Sequence, residues 1–236
     1  MTLMAPQPVS LSAFSPPPGD LFLTTPGQTD WVVPQGVYSV RVTLIGGGGG
    51  AGAHGSYTTG NASTNYNISS SGGGGGGGGG GAFVKKVLPV FPGQIIPVVV
   101  GAGGASINYV HLIWGKNIDG NDGIDSSFGN LLTADSGKGG GGGWAQYQST
   151  GVGGIAGAGG IAAGGDINLN GAAGEAGDHR NVVGLSFIHA DGGTGGEGQV
   201  LDSVPYGAGG TGHPKEISDP AQAPGTDGCC LIEWGF

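Results

Sequence analysis

The clearest alternation of apolar and polar positions lies just before the first run of glycines. Val40, Val42 and Leu44 fall on one side of an extended chain, and Arg41 and Thr43 fall on the other. Successive side chains of a β-strand point to opposite faces, so this period of two predicts a half-buried strand.

Further apolar runs predict more strands. A turn at Phe91–Gln94 separates Ala82–Val90 from Ile95–Val100, and we expect these two runs to form a hairpin. Cys229–Trp234 closes the chain as another strand. No window keeps apolar residues at i, i+3, i+4 and i+7, so essentially no α-helix is expected. The predicted fold is mostly β and irregular, with a small antiparallel, sandwich-like base formed by residues 28–45, 82–100 and 228–236.

Glycine runs follow most of these strands, and the longest has ten consecutive glycines, Gly72 to Gly81. Glycine loses much backbone entropy on folding and has no side chain to bury, so this run does not suit an ordinary core helix or strand. An extended helix of the polyproline II or polyglycine II type suits it, since neighbouring helices can then satisfy its outward N–H and C=O groups. The alternative is a flexible glycine linker.

Composition favours the ordered alternative. The chain has 59 Gly and 14 Pro among 236 residues, which is typical of low-complexity sequence. However, 37% of the residues are hydrophobic and only 10% are charged, whereas disordered chains are usually poor in apolar residues and rich in charge. We therefore expect a packed bundle of glycine-rich helices attached to the β base.

The chain divides at about residue 27. Residues 1–27 form a proline-rich arm and attachment segment, and residues 28–236 form a glycine-rich domain. The start lacks the basic region of a secretory signal and is interrupted by five prolines, which predicts synthesis in a cytoplasm without export by the usual route. The net charge of −9, with seven Lys and Arg, argues against nucleic-acid binding.

The order of strands, turns and glycines carries a family resemblance. The stretches concerned are Trp31, Val33, Pro34, Gly36, Val37, Val40, Val42, Leu44 and Ile45 before Gly46–Gly50; Pro92, Gly93 and Gln94 leading to Val100, Gly101 and Gly103; Asp125–Gly129; and Gly228–Trp234.

This arrangement resembles the glycine-rich domains of bacteriophage tail fibre and tail tip adhesins over about residues 28–236. The resemblance implies a polyglycine II bundle whose intervening loops cluster at one end and bind a receptor on the host surface. It also implies a virion protein made in the host cytoplasm.

Glycine-rich loops raise the question of nucleotide binding. A phosphate-binding P-loop needs Gly, four residues and then Gly-Lys-Ser/Thr. Lys138 is followed by Gly139 and Lys116 by Asn117, so neither lysine fits. Dinucleotide-type spacings occur by chance in so glycine-dense a chain, and no helix is predicted for a phosphate to approach. We expect no cofactor.

Catalytic and metal-binding patterns are also weak. The acidic stretch from Asp119 to Asp125 has Ile124 where a calcium loop needs glycine. No Gly-x-Ser-x-Gly motif occurs. Isolated loop histidines are more often surface hydrogen-bonding groups than zinc ligands, so we predict no metal site. Because no catalytic motif is found either, we predict no catalytic residue and no enzymatic activity. The histidines occur singly, at His54, His111, His179, His189 and His213.

Aromatic residues fall in the polar spacers between glycine blocks. Tyr and Trp provide rigid contact area while Ser, Gly and Asn provide adaptable hydrogen bonding, which is the mixture found in antibody loops. Some of these side chains could instead cover the glycine body, and Trp31 and Trp234 are expected in the core of the sheet. The predicted receptor-binding residues are Tyr57, Tyr66, Trp114, Trp144, Tyr147, His179 and Arg180. They can meet only if successive glycine segments run up and down.

Three functions remain open. The preferred one is a phage adhesin that binds a host receptor, protein or glycan, through these loops. The second is a structural fibre or decoration subunit. The third is an ice-binding bundle, which the long irregular spacers disfavour. Expected partners are other virion proteins, reached through the N-terminal arm or the β base, and a homotrimer is one expected assembly.

Overall fold

The structure is a computed structural model that describes residues 17–61, 66–107, 115–116, 118–145, 151–179, 192–201, 203–212 and 223–236. All regular secondary structure in these ranges is β-strand, which confirms the prediction of a mostly β fold without α-helix. The strands are β1 (Gly19–Leu23), β2 (Gly27–Val32), β3 (Ser39–Ile45), β4 (Ser56–Asn61), β5 (Tyr66–Ser71), β6 (Phe83–Pro89), β7 (Ile95–Val100), β8 (Gly115–Lys116), β9 (Ser126–Phe128), β10 (Leu132–Ala134), β11 (Trp144–Ala145), β12 (Ile167–Leu169), β13 (Gln199–Leu201), β14 (Val204–Tyr206) and β15 (Cys229–Trp234).

Two antiparallel sheets form the base. The larger has the order β1-β15-β3-β6-β12, and the smaller has the order β10-β9-β7-β2. In the larger sheet Val42 of β3 lies opposite Lys86 of β6 and Ile232 of β15. As its alternation predicts, β3 buries Val40, Val42 and Leu44 completely. Thr43, expected on the uncovered face, is fully buried as well, so this part of β3 is covered on both faces. β1, which falls within the segment 1–27, pairs with β15.

The predicted hairpin of Ala82–Val90 and Ile95–Val100 is wrong. β6 pairs with β3 and β12, whereas β7 pairs with β2 and β9, so the turn between them carries the chain from one sheet to the other. Each strand has one apolar face, and those faces meet across the core instead of lying side by side. Val84 and Leu88 of β6 share one buried cluster with Ile96 and Val98 of β7.

Three aromatic rings pack against one another in this core. Trp31 is buried, and its ring centroid lies 5.9 Å from that of Phe128 and 6.1 Å from that of Trp234. Trp31 is thus in the core as expected. Trp234 is only partly buried, since it ends the last strand and packs against the edge of the cluster.

The run 72–82 is completely buried and hydrogen-bonded along its length. Gly76 donates its N–H to Gly141, Gly77 to Glu175 and Gly78 to Gly210, so three successive residues bond to three different segments. The carbonyl groups of the run accept from three further segments. Among the described residues, its hydrogen-bonded neighbours are 46–55, 135–144, 152–160, 171–178, 192–198 and 207–212.

A second interior segment, 46–55, is bonded in the same way. Gly52 donates to Gly76, Gly50 donates to Asn121, and Gly140 donates to Gly50. Residues 46–53 are all buried. A free linker would leave these backbone groups to water, whereas here they are paired with protein, as buried polar groups require.

The outer segments alternate in burial with a period of three. From Gly151 to Gly160 every third residue is buried, and Val152, Ile155 and Ala158 are exposed. The inward-facing residues Gly154, Gly157 and Gly160 donate to Gly74, Gly77 and Gly80, three residues apart in both segments. Both the burial and the bonds therefore repeat every three residues.

The glycine-rich segments alternate in direction between two ends. At the sheet end, Gly46 follows β3 and donates to Ala82, which precedes β6. At the other end, which we call the distal end, Gly55 donates to Gly73 and Gly73 donates to Trp144. The spacers that leave and rejoin the segments at the distal end are 56–71, 108–117, 145–151, 179–191 and 213–222.

Candidate functional site

The distal end is the candidate functional site, because all seven predicted binding residues belong to its spacers or to the residues next to them. Main-chain bonds tie these attachment points together. Gly74 donates to Asp178, Val152 and Trp144 bond to each other in both directions, and Ala53 donates to Ile118. Segments far apart in sequence therefore end side by side.

Trp144 and His179, 35 positions apart in the sequence, both bond to the segment 152–153. Trp144 pairs with Val152 in an antiparallel bridge. The next residue, Gly153, donates its N–H to Nδ1 of His179 at 2.8 Å. The side chains of Trp144 and Val152 are 44% and 48% exposed, and His179 is also exposed. We call Trp144, Val152 and His179 the distal cluster.

The bond from Gly153 fixes the tautomer of His179. A neutral imidazole has one N–H donor and one acceptor nitrogen. Because Nδ1 accepts from Gly153, the ring proton lies on Nε2. The distal cluster thus combines an exposed indole, an apolar side chain and an imidazole N–H donor.

Tyr57 and Tyr66 lie in strands, not in the loop that the sequence suggested. Tyr57 of β4 is paired with Ser70, and Tyr66 of β5 is paired with Asn61. This hairpin contacts β11, which contains Trp144. Trp114, Tyr147 and Arg180 lie outside the described residues.

Sequence reasoning missed Val152. Its position opposite Trp144 depends on the pairing of two glycine-rich segments, which the sequence does not reveal. The three-residue spacing of Val152, Ile155 and Ala158 in the sequence would have marked Val152 as outward-facing, since Gly154 and Gly157 take the inward positions.

Carboxylates accept hydrogen bonds from backbone N–H groups along one edge of the glycine-rich body. Asp119, Asp122 and Asp125, each three residues apart, accept from Gly142, Gly139 and Ser136 of the facing segment. This repeat explains the acidic stretch as an edge that caps backbone N–H groups.

Asp122 of this edge also pairs with Lys138, whose Nζ lies 3.1 Å from Oδ2. Partial burial acts to raise the pKa of Asp122, but the Gly139 N–H and Lys138 outweigh it and lower that pKa. The hydrogen bond to Asp122 raises the pKa of Lys138.

Other chemistry is sparse in the described residues. No group of three or more His, Cys, Asp or Glu there is arranged to hold a metal ion. The described ranges also contain no helix long and apolar enough to cross a membrane. Cys229 and Cys230 are free thiols, and both are buried.

Comparison with known proteins identifies one family. The sequence profile of the glycine-rich domain family matches residues 24–235, which is nearly the whole chain. No curated protein matches the chain.

Proposed function

The chain belongs to the glycine-rich domain family, and we propose that it is a phage fibre or tail-tip protein whose distal end binds a receptor on the host cell. The observation that carries this proposal is the alternation of the glycine-rich segments between two ends. Because the segments alternate in direction, five spacers leave and rejoin them at the end remote from the β base. These spacers and the residues next to them include the predicted aromatic residues.

The proposal includes a polyglycine II bundle as the supporting body. A helix of this type has three residues per turn and no internal hydrogen bonds, so each residue of a turn faces a different neighbour. The period-three burial of 151–160 and the bonds of Gly76, Gly77 and Gly78 to three separate segments support it. Loops on such a body lose less freedom on binding than loops on a flexible chain.

The opposite end of the base suits attachment to the virion. Val32 and Ile95 are paired on neighbouring strands, and they are 55% and 63% exposed. Tyr38 and Phe91, on the adjacent turns, are 64% and 70% exposed. We call these four residues the sheet tip. Exposed apolar groups of this kind often mark protein contacts.

The sheet tip also supports the second candidate, a purely structural virion subunit. In that case the tip and residues 1–27 would make the functional contacts, and the distal end would be a spacer. Both candidates are non-enzymatic proteins of the virion.

Adsorption to cells tests the proposal. Fluorescently labelled protein is incubated with a panel of bacterial strains, and bound protein is measured by flow cytometry. We expect wild type to bind some strains. Three alanine variants should lose most of that binding and stay folded by circular dichroism, because a few aromatic and Arg residues usually dominate an interface. The first variant changes Tyr57 and Tyr66 to alanine, and the second changes Trp144 and Tyr147. The third changes Trp114, His179 and Arg180.

The matched control is Tyr38→Ala combined with Phe91→Ala, which removes two exposed aromatic rings at the sheet tip. It should bind cells like wild type. If wild type binds no strain, or if all three distal variants bind as well as the control, the structural subunit becomes the better account.

A further inference from the structure

One outer segment of the glycine-rich body, 152–160 with the residue after it, carries an exposed apolar stripe. Its outward positions, three residues apart, are Val152, Ile155, Ala158 and Ile161, and we call these four residues the apolar stripe. Ile155 and Ile161 are 74% and 66% exposed. At about 3.1 Å per residue of an extended helix, the stripe is roughly 28 Å long.

Other described outer segments carry charged groups on their surface. Glu197 is exposed on one of them, and Asp119, Asp122 and Asp125 lie along another. Residues 151–163, in contrast, contain no polar side chain. A contiguous exposed apolar surface of this kind usually marks a protein contact.

The exposed apolar surface continues past both ends of the stripe. At the distal end Trp144, which is 44% exposed, is bridged to the first residue of the stripe. At the sheet end Ala162 donates its N–H to the side chain of Asn170, next to β12. Ile167 and Leu169 of β12 are 50% and 47% exposed. Apolar side chains are therefore exposed from the distal end of the body to the base.

The stripe lies on a ridge between two flanking segments. Segments 135–144 and 171–178 each bond both to 152–160 and to the interior run 72–82. An extended helix with three residues per turn directs its N–H and C=O groups to neighbours about 60° apart, which agrees with the six neighbours of the interior run. The two flanking segments therefore lie on opposite sides of the ridge, and its three neighbours together span about 120°.

This angle fits a threefold arrangement of identical chains. Three ridges of about 120° fill a full circle when their stripes meet at one axis, whereas two ridges would leave a gap of about 60° on each side. In the threefold arrangement the 135–144 flank of each copy faces the 171–178 flank of the next. Such head-to-tail contacts close into a ring when the rotation fits.

The two flanks carry opposite charges at similar heights along the stripe. Lys138 donates its main-chain N–H to Ala158, and Gly174, the residue before Glu175, donates to Gly157. Lys138 and Glu175 are both exposed. A parallel threefold ring therefore places the ammonium of one copy opposite the carboxylate of the next.

Charge also disfavours an antiparallel pair of chains. In such a pair the 171–178 flanks would face each other, and Glu175 would lie opposite Glu175 of the other copy, which is unfavourable. Lys138 pairs with Asp122 of its own chain, but an ammonium has three donors and can bind a second carboxylate.

We propose that three copies of the chain assemble in parallel around a threefold axis, with the apolar stripes buried at the axis and Lys138 of each copy paired with Glu175 of the next. This assembly places three bases at one end and three distal ends at the other. It goes beyond the proposed function, because the adhesin and the structural subunit can both use it.

Sedimentation equilibrium over a range of protein concentrations tests the assembly. Wild type should have three times the 22.8 kDa mass of one chain. Ile155→Glu combined with Ile161→Glu should give monomers, because unpaired carboxylates would be buried together at the axis. Both side chains are exposed in the single chain, and the main-chain bond from Gly141 to residue 155 is kept, so circular dichroism should show an unchanged fold. Ile124→Glu is the matched control, since Ile124 is 56% exposed on another outer segment, and it should remain a trimer.

A charge exchange tests the predicted pairing of the flanks. Lys138→Glu or Glu175→Lys should each weaken trimer formation roughly tenfold, because three exposed ion pairs are lost together. The two changes combined should restore much of it. Residues 138 and 175 of one chain lie on opposite flanks, so a rescue would report contact between copies. These exposed positions also keep the test open if the glutamates in the stripe prevent folding.

A wild type that stays monomeric at every concentration, or that forms dimers, would overturn the threefold assembly. A trimer that the two glutamates in the stripe leave intact, or a charge exchange without rescue, would overturn the assigned surface. Any of these results leaves the proposed function standing, because adsorption to cells tests it separately. A trimer that binds no strain would support the assembly and refute receptor binding.

Discussion

Adding a single methyl group inside the glycine-rich body tests whether it is a packed lattice. A Cβ on Gly76 would overlap the carbonyl oxygen of Ile155, and a Cβ on Gly77 would overlap that of Thr194. Neither glycine has a positive φ, so alanine fits the backbone conformation and only the overlap opposes it. The variants Gly76→Ala and Gly77→Ala therefore report on packing alone.

The expected cost is large for a methyl group. Overpacking costs about 1–3 kcal/mol, and the upper end applies because the blocking atoms are main-chain atoms. Both carbonyls are also held by hydrogen bonds, from Gly141 to Ile155 and from Glu175 to Thr194, each worth about 1 kcal/mol. Alanine returns roughly 0.4–1 kcal/mol by restricting the unfolded chain.

The net loss in unfolding free energy is then about 2–3 kcal/mol, which lowers Tm by roughly 4–12 °C in a chain of this size. Differential scanning calorimetry measures the shift. Ala173→Val, which adds two methyl groups at an exposed position, is the control and should change stability by less than about 0.5 kcal/mol.

Amide exchange gives an independent check on the same reasoning. The N–H groups of residues 72–82 should be strongly protected, because each described bond lies inside the protein. Unchanged melting of both glycine variants, or rapid exchange across the run, would refute the packed lattice.

Three further outcomes follow from the base and the acidic edge. Trp234→Ala should cost about 3 kcal/mol in chemical denaturation, the low end for a large aromatic, because the ring is only partly buried. Asp122 has a lower pKa in the folded protein than in the unfolded chain. Its ionised carboxylate therefore stabilises the fold at pH values above the unfolded-state pKa, and this stabilisation is lost as the pH falls through the folded-state pKa. Asp122→Asn should therefore flatten the acid limb of a stability-versus-pH curve, while costing no more than about 1 kcal/mol at pH 7. Burial raises the pKa of Cys229 to about 12 and raises that of Cys230 as well, so neither thiol should react with Ellman's reagent at pH 8 until the protein is unfolded.

Local patterns predicted the main strands well. β3, β7 and β15 were each visible as apolar alternation or a β-branched run, because burial of one face imposes a period of two. The sequence wrongly predicts that β6 pairs with β7. A short turn with Pro92 and Gly93 can either close a hairpin or carry the chain from one sheet to the other. The sheet that each strand joins depends on which apolar faces meet in the core.

The candidate site was predictable only in part. Tyr and Trp in polar spacers pick out segments that attach at the distal end, and their role in receptor binding stays a prediction. The contact from Trp144 through Val152 and Gly153 to His179 was not predictable. It depends on the bridge between Trp144 and Val152 and on the bond from Gly153 to His179, which join segments that are distant in the sequence.

The sequence by itself determined where strands, glycine-rich segments and spacers lie. The alternation of apolar and polar residues and the absence of side chains at glycine both act on local backbone structure. Each can therefore be recognised from a short stretch of sequence. Only the tertiary structure decided which segments are neighbours and which spacers meet. A glycine run presents the same N–H and C=O groups along its whole length and carries no side chain to specify a partner. Its neighbours are selected by the base sheets, by the lengths of the spacers and by capping side chains such as Asp119 and Asp125, all of which act across long distances in the chain.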